Sequence, residues 1–121
     1  MLEVLPIGSV DKQQAFCEKN YIEFFPDSMA YAAFYDGKAI GICQFEVLSG
    51  VGVIKSLSNL DEKLDISPTF LMLRAVLNFL DSFGTCKVEI NLPNIDDTLL
   101  ISAGFEKNND GIYSLFFANF P

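Results

Sequence analysis

The chain contains no histidine. Without an imidazole there is no Ser-His or Cys-His pair to raise a nucleophile, and no imidazole ligand for a metal ion. Tryptophan is absent as well, and Arg74 is the only arginine. Cys17, Cys43 and Cys86 are odd in number, and no two fall at metal-ligand spacing. They read as reduced core cysteines, and no metal site is expected. No apolar run reaches the ~18 residues that a membrane-spanning helix needs. Glu3 precedes only a short apolar stretch, with no basic region before it. No signal peptide is therefore expected, and a cytoplasmic location follows by default.

Positive charge is scarce. Eight Lys and Arg stand against sixteen Asp and Glu, giving a net charge of −8. The lysines, at positions 12, 19, 38, 55, 63, 87 and 107, are scattered along the sequence. Such a field opposes nucleic acid and anionic lipid surfaces, so neither is expected as a partner. A cationic small molecule or protein is the favoured kind of partner.

What is present is apolar. Half of the 121 residues are hydrophobic, and twelve of them are Phe. That is enough for one globular domain, residues 1–121, with a core of Phe, Leu and Ile. Glu3 to Ile7 reads as a first strand. Ser9 can cap a helix that runs to about Tyr21, because a serine oxygen accepts from the free amides of a first turn. Phe24-Phe25-Pro26-Asp27 ends that helical stretch.

Ala30 to Tyr35 and Lys38 to Leu48 flank Asp36-Gly37, a strong hairpin signal, since a tight primed turn needs positive φ at both central residues. In the second of these strands Gly41, Cys43, Phe45 and Val47 share one face. Ile40, Ile42, Gln44, Glu46 and Leu48 share the other. Ser49-Gly50 turns the chain into Val51 to Leu57, completing an antiparallel meander. Pro68 to Phe83 is a helix with apolar residues almost all round. Its polar residues, Arg74, Asn78 and Asp81, form one narrow stripe, so the helix should be nearly buried. Lys87 to Leu92 is a strand, and Ile95 to Ala103 a short helix capped by Asn94 and closed by Gly104. A final hairpin carries the apolar run Tyr113 to Phe120. That run suits either a fully buried strand or one extended into a second copy of the chain, a homodimer.

This order of elements resembles the GNAT superfamily of N-acetyltransferases. The resemblance covers roughly residues 30 to 120. It rests on Leu73-Arg74-Ala75 in the buried helix, Asn94 after the fifth strand, and Gly104-Phe105-Glu106 after the short helix. It implies an α+β fold with a mixed, mostly antiparallel sheet and helices on both faces. It also implies a cleft where the fourth and fifth strands splay and the fourth strand offers free backbone groups to the pantetheine arm of acetyl-CoA.

The resemblance fails where the family grips the cofactor. There the loop before the buried helix carries an Arg or Gln and two small residues, whose backbone amides cradle the pyrophosphate. Here that loop falls on Leu64-Asp65-Ile66-Ser67-Pro68-Thr69. It has no glycine, Pro68 has no amide to donate, and Asp61, Glu62 and Asp65 place negative charge beside the phosphate position. The tyrosine that many relatives use as general acid corresponds to Leu100, which has no proton to give. By the same resemblance Ser56, Ser58, Asn91 and Asn94 would line the cleft, and Thr69, at a helix start, would meet a small anion of the cofactor. Glu46, Asp61 and Glu89 are the candidate bases by placement. No cofactor is required by these residues, although acetyl-CoA is implied by the family. Two functions compete: a divergent or non-catalytic binding or interaction module, and an active acyl-CoA-dependent N-acyltransferase working through backbone contacts.

Overall fold

The structure, a computed structural model, describes residues 1–60, 67–93 and 95–117. In chain order the elements are β1 (Leu2–Pro6), α1 (Val10–Lys19), β2 (Met29–Tyr35), β3 (Lys38–Leu48) and β4 (Val51–Asn59). After them come α2 (Ser67–Phe83), β5 (Lys87–Ile90), α3 (Asp97–Ser102), β6 (Glu106–Lys107) and β7 (Tyr113–Phe116). The strands form one sheet in the order β1-β2-β3-β4-β5-β7-β6. Every neighbouring pair is antiparallel except β4 and β5, which are parallel. Parallel neighbours need a crossover, and α2 supplies it. None of the described helices is long and apolar enough to cross a membrane.

The turns form as their residues dictate. Asp36 and Gly37 take φ of 49° and 82°, and Ser49 and Gly50 take 52° and 79°. Both pairs are primed turns, whose twist matches that of the strands they join. The regular alternation is broken once in β3 and once in β4. Ala33 pairs with Gly41 but Phe34 pairs with Ala39, so Ile40 is an extra residue in β3. Likewise Gln44 pairs with Ser56 but Phe45 pairs with Ile54, so Lys55 is extra in β4. The first bulge corrects the sequence reading of Ile40. It joins Cys43 and Phe45 in the α2-side core rather than sharing a face with Ile42, because a bulge sets two successive residues on one side.

The helices lie on opposite faces. On one, Cys17 of α1 packs with Ala30 and Ile42. On the other, Met72, Leu73, Val76 and Leu80 of α2 pack with Phe45, Ile54, Val88 and Ile90. Arg74, Asn78 and Asp81 are exposed, so the polar stripe of α2 faces water. Leu100, Ala103 and Phe105 extend the α2-side core. The α3 cap differs from the sequence reading. Asp96 is the cap, accepting from the amides of Thr98 at 2.8 Å and Leu99 at 3.2 Å, while Asn94 lies outside the described residues. β7 is an interior strand between β5 and β6, with Tyr113 buried, Ser114 and Leu115 half-buried and Phe116 exposed. The rest of the tail to Phe120, from residue 118, also lies outside the described residues.

One buried polar cluster ties the segment after α1 to the sheet. Gln44 is fully buried. Its Oε1 accepts from Gln13 Nε2 at 2.9 Å and from the Phe25 amide at 3.1 Å, and its Nε2 donates to the Glu23 carbonyl at 2.8 Å. Gln13 Nε2 also donates to Ser28 Oγ at 2.8 Å, and that hydroxyl donates to the Phe25 carbonyl at 2.7 Å. Polar groups buried away from water are tolerable only when bonded in this way. The segment enters through a strained residue. α1 stops at Lys19, short of the Tyr21 expected from sequence, and Tyr21 takes φ of 58°. The Ile22 amide then bonds back to the Cys17 carbonyl at 2.9 Å. That is the helix-ending geometry usually given to glycine.

Two stability measurements check this account. A Cβ at Gly41 would sit 2.9 Å from the Ser58 carbonyl oxygen and 3.3 Å from Met72 Cε. Gly41→Ala should therefore cost about 1–3 kcal/mol, read as a lower urea midpoint. An unchanged midpoint would show slack between β3 and β4. Gln44→Leu should leave the Phe25 amide and the Glu23 carbonyl unbonded, at about 1–3 kcal/mol each. It should also speed proteolytic cutting within residues 20–28 of the folded protein, and cutting at the wild-type rate would remove Gln44 from this role.

Candidate functional site

The sheet opens where its one parallel pairing ends. Val51 to Ile54 of β4 run beside Lys87 to Ile90 of β5, and the pairing stops there. β4 continues to Asn59 on its partner β3. Past Ile54 no strand lies on its other side among the described residues. β5 ends at Ile90, two residues before the Leu92 expected from sequence. The alternating pattern persists to Leu92, but the hydrogen-bonding partner does not.

A cavity of about 350 Å³ occupies this opening. One wall is Lys55, Ser56, Leu57 and Ser58 of β4, the second is Leu92 and Pro93, and the third is Tyr21, Ile22, Glu23 and Phe25. The third wall is the segment that Gln44 holds, and Gln44 itself lies opposite Ser56 in the β3–β4 register. The buried amide therefore fixes one wall of the cleft, and the backbone of the same residue pairs with another. Tyr21 stands at the mouth, 97% exposed, so its left-handed φ is not compensated by packing.

The electrostatics are mixed. Lys55 Nζ lies 3.2 Å from Glu46 Oε1, and the carboxylate is the more buried partner. Glu46 is thus engaged by a cation. Glu89 lies in line with Glu46 across the sheet, with Val53 between them. Two strand spacings put these acids about 10 Å apart. Glu89 is held by Lys87 at 3.6 Å and does not line the cavity. The third candidate base, Asp61, lies outside the described residues, as do Leu64, Asp65 and Ile66 of the expected phosphate loop.

Of the residues expected in the cleft, Ser56 and Ser58 line it. Thr69 is buried in the first turn of α2, and Asn91 is exposed beyond β5; neither is on the cavity wall. Leu92 and Pro93 take that place instead. Sequence reasoning missed Lys55, Tyr21, Glu23 and Gln44. Lys55 enters through a bulge, which leaves no mark in composition. Gln44 was visible only as a polar residue in an apolar strand, and that was a usable signal of a buried network.

Leu100 is completely buried in the α2-side core. Tyr113, in the same core, is 3% exposed, and its hydroxyl has no hydrogen-bond partner among the described residues. Tyr31 stacks on Phe45 with centroids 6.1 Å apart, a packing position. Burial raises the pKa of the Cys43 thiol well above the ordinary thiol range, and that of Cys17 as well. A thiol held toward its protonated form is the weaker nucleophile.

No protein-family model matches the chain, and no curated protein sequence matches it. Solved structures do. An IAA acetyltransferase from Bacillus cereus superposes with a TM-score of 0.74 at 13% identity, covering 97% of this chain and 100% of that one. A PaiA N-acetyltransferase from Thermoplasma acidophilum, in complex with coenzyme A, gives 0.73 at 12% identity over 97% and 99%. A GNAT family acetyltransferase from Elizabethkingia anophelis with acetyl-CoA bound gives 0.69 at 14% identity over 96% and 98%. At these identities the likeness is one of fold, and the fold of this chain is the GNAT acetyltransferase fold.

Proposed function

We propose that the chain is a non-transferring module of the acetyltransferase fold that binds an extended, amide-bearing ligand of the pantetheine type in the β4–β5 cleft. The observation that carries this reading is the pairing of an open cleft with a sealed acid position. β4 runs on past Ile54 without a strand beside it, so its backbone groups can serve a ligand as an added strand would. Leu100, where the resemblance asks for a proton donor, is aliphatic and buried. Solved structures of the same fold contain coenzyme A or acetyl-CoA, which supports a thioester as the ligand class. The acids at 61, 62 and 65 argue that the diphosphate adds nothing to affinity.

An active acyltransferase is the second reading, favoured by one observation. The buried Tyr113 hydroxyl lacks a partner among the described residues, and such a hydroxyl could protonate a departing thiolate in place of the missing tyrosine.

Calorimetry and a thiol-release assay separate the two. Acetyl-pantetheine should bind at least as tightly as acetyl-CoA, and acetyl-CoA should be weaker than low micromolar at physiological salt. A low-micromolar acetyl-CoA constant, lost with the truncated thioester, would mean that the phosphates are gripped after all. Thiol release over a panel of amines should be negligible, because loss of a general acid forfeits about a hundred- to ten-thousand-fold in rate. Leu100→Tyr should not restore it. Robust wild-type turnover abolished by Tyr113→Phe would establish the second reading instead.

A further inference from the structure

Lysines that are scattered in the sequence are gathered by the fold onto the α1 face. Phe16 of α1 and Phe34 of β2 meet edge-on, with ring centroids 6.3 Å apart, and form a ridge between two cavities. One, of about 270 Å³, is lined by Leu5, Pro6, Ile7, Gly8 and Lys12 beside both rings. The other, of about 390 Å³, is lined by Lys19, Asn20, Gly37, Lys38 and Ala39 beside the same rings. Neither is lined by any Asp or Glu, in a chain where acids outnumber bases sixteen to eight. The acids nearby are Glu3, opposite Phe34 across β1 and β2, the exposed Asp11 and Glu18 of α1, and Asp36 beside Gly37, which holds the Met1 amine; none of them lines either cavity. Other lysines are engaged: Lys55 with Glu46, Lys87 with Glu89, and Lys107 over the Tyr113 ring. Lys12, Lys19 and Lys38 have no ion-pair partner among the described residues.

We propose that this face docks an acidic peptide segment of a partner protein. An apolar or aromatic side chain would lie against the Phe16–Phe34 ridge, with carboxylates reaching Lys12 on one side and Lys19 and Lys38 on the other. Charge complementarity carries the choice. Lys12 and Lys19 are seven residues apart on one helix, two turns or about 10 Å. Three residues of extended chain cover the same distance. The matching segment therefore has acids about three positions apart around an apolar residue. A long polyanion such as nucleic acid would also meet the −8 field of the rest of the molecule, whereas a short segment meets only this face. None of these lining residues belongs to the β4–β5 cleft, so the proposal stands apart from the function proposed there.

The test is fluorescence anisotropy with a labelled, acetylated Glu-Asp-Phe-Leu-Asp-Glu peptide at low salt. Saturable binding is expected, weakening as salt rises. Combining Lys12→Glu, Lys19→Glu and Lys38→Glu should weaken it by at least about tenfold, since three exposed ion pairs of modest strength are lost together. Arg74→Glu, on the opposite face, should change it by no more than about twofold, a bound set by general screening. No saturable binding at millimolar protein would overturn the proposal, as would an equal loss with Arg74→Glu. A single-stranded oligonucleotide that binds more tightly than the peptide, and is lost on the same three changes, would reassign the face to nucleic acid.

Discussion

The arrangement depends on how far β4 and β5 can stay bonded. Their parallel pairing covers four residues, Val51 to Ile54 beside Lys87 to Ile90, and α2 must span the crossover between them. Gly41 brings β3 against β4 at Ser58, and a bulge at Lys55 bends β4 just where β5 departs. β3 therefore holds β4 on one side while its other side is released. A sheet continuous through this point would have no cleft. A sheet opened on both sides would leave β4 without support.

A free strand edge in a small protein invites association, and here the edge opens into a walled cavity. The segment from Tyr21 to Phe25 lies over it, and Gln44 anchors that segment from within the sheet. Burying an amide is costly unless every bond is made, and here the bonds are made to the backbone of the segment itself. Tyr21 adds a left-handed φ with no burial in return. Strain of that kind, about 1–3 kcal/mol, survives where the surroundings impose it. The cleft mouth is the costly part of this fold, whereas the α2-side core is the part that stabilises it.

Much of the fold was legible because local chemistry agreed with tertiary need. Asp36-Gly37 admits few conformations, and the all-round apolar pattern of α2 permits only burial. Ser56 and Ser58 were legible through family resemblance, as members of the strand beside the cleft. The rest was decided by contacts that sequence does not record. Nothing marks Ile40 or Lys55 as an extra residue, so the alternation read in β3 puts Ile40 on the wrong face. The run Asn94-Ile95-Asp96-Asp97 offers several capping residues, and local rules cannot choose among them. Leu92 keeps the strand pattern but has no partner strand. The gathering of Lys12, Lys19 and Lys38 joins a helix to a hairpin, which no spacing rule reaches.

The central claim is that β4 presents a ligand-accepting edge in a domain that performs no transfer. A two-dimensional 15N–1H correlation titration with acetyl-pantetheine in the presence of an amine tests both halves in one sample. The account predicts progressive shifts confined to the amides of Lys55 to Ser58 and residues 21–25, with the thioester methyl signal unchanged over hours. Shifts centred elsewhere on the molecule, or steady conversion of thioester to amide, would contradict it.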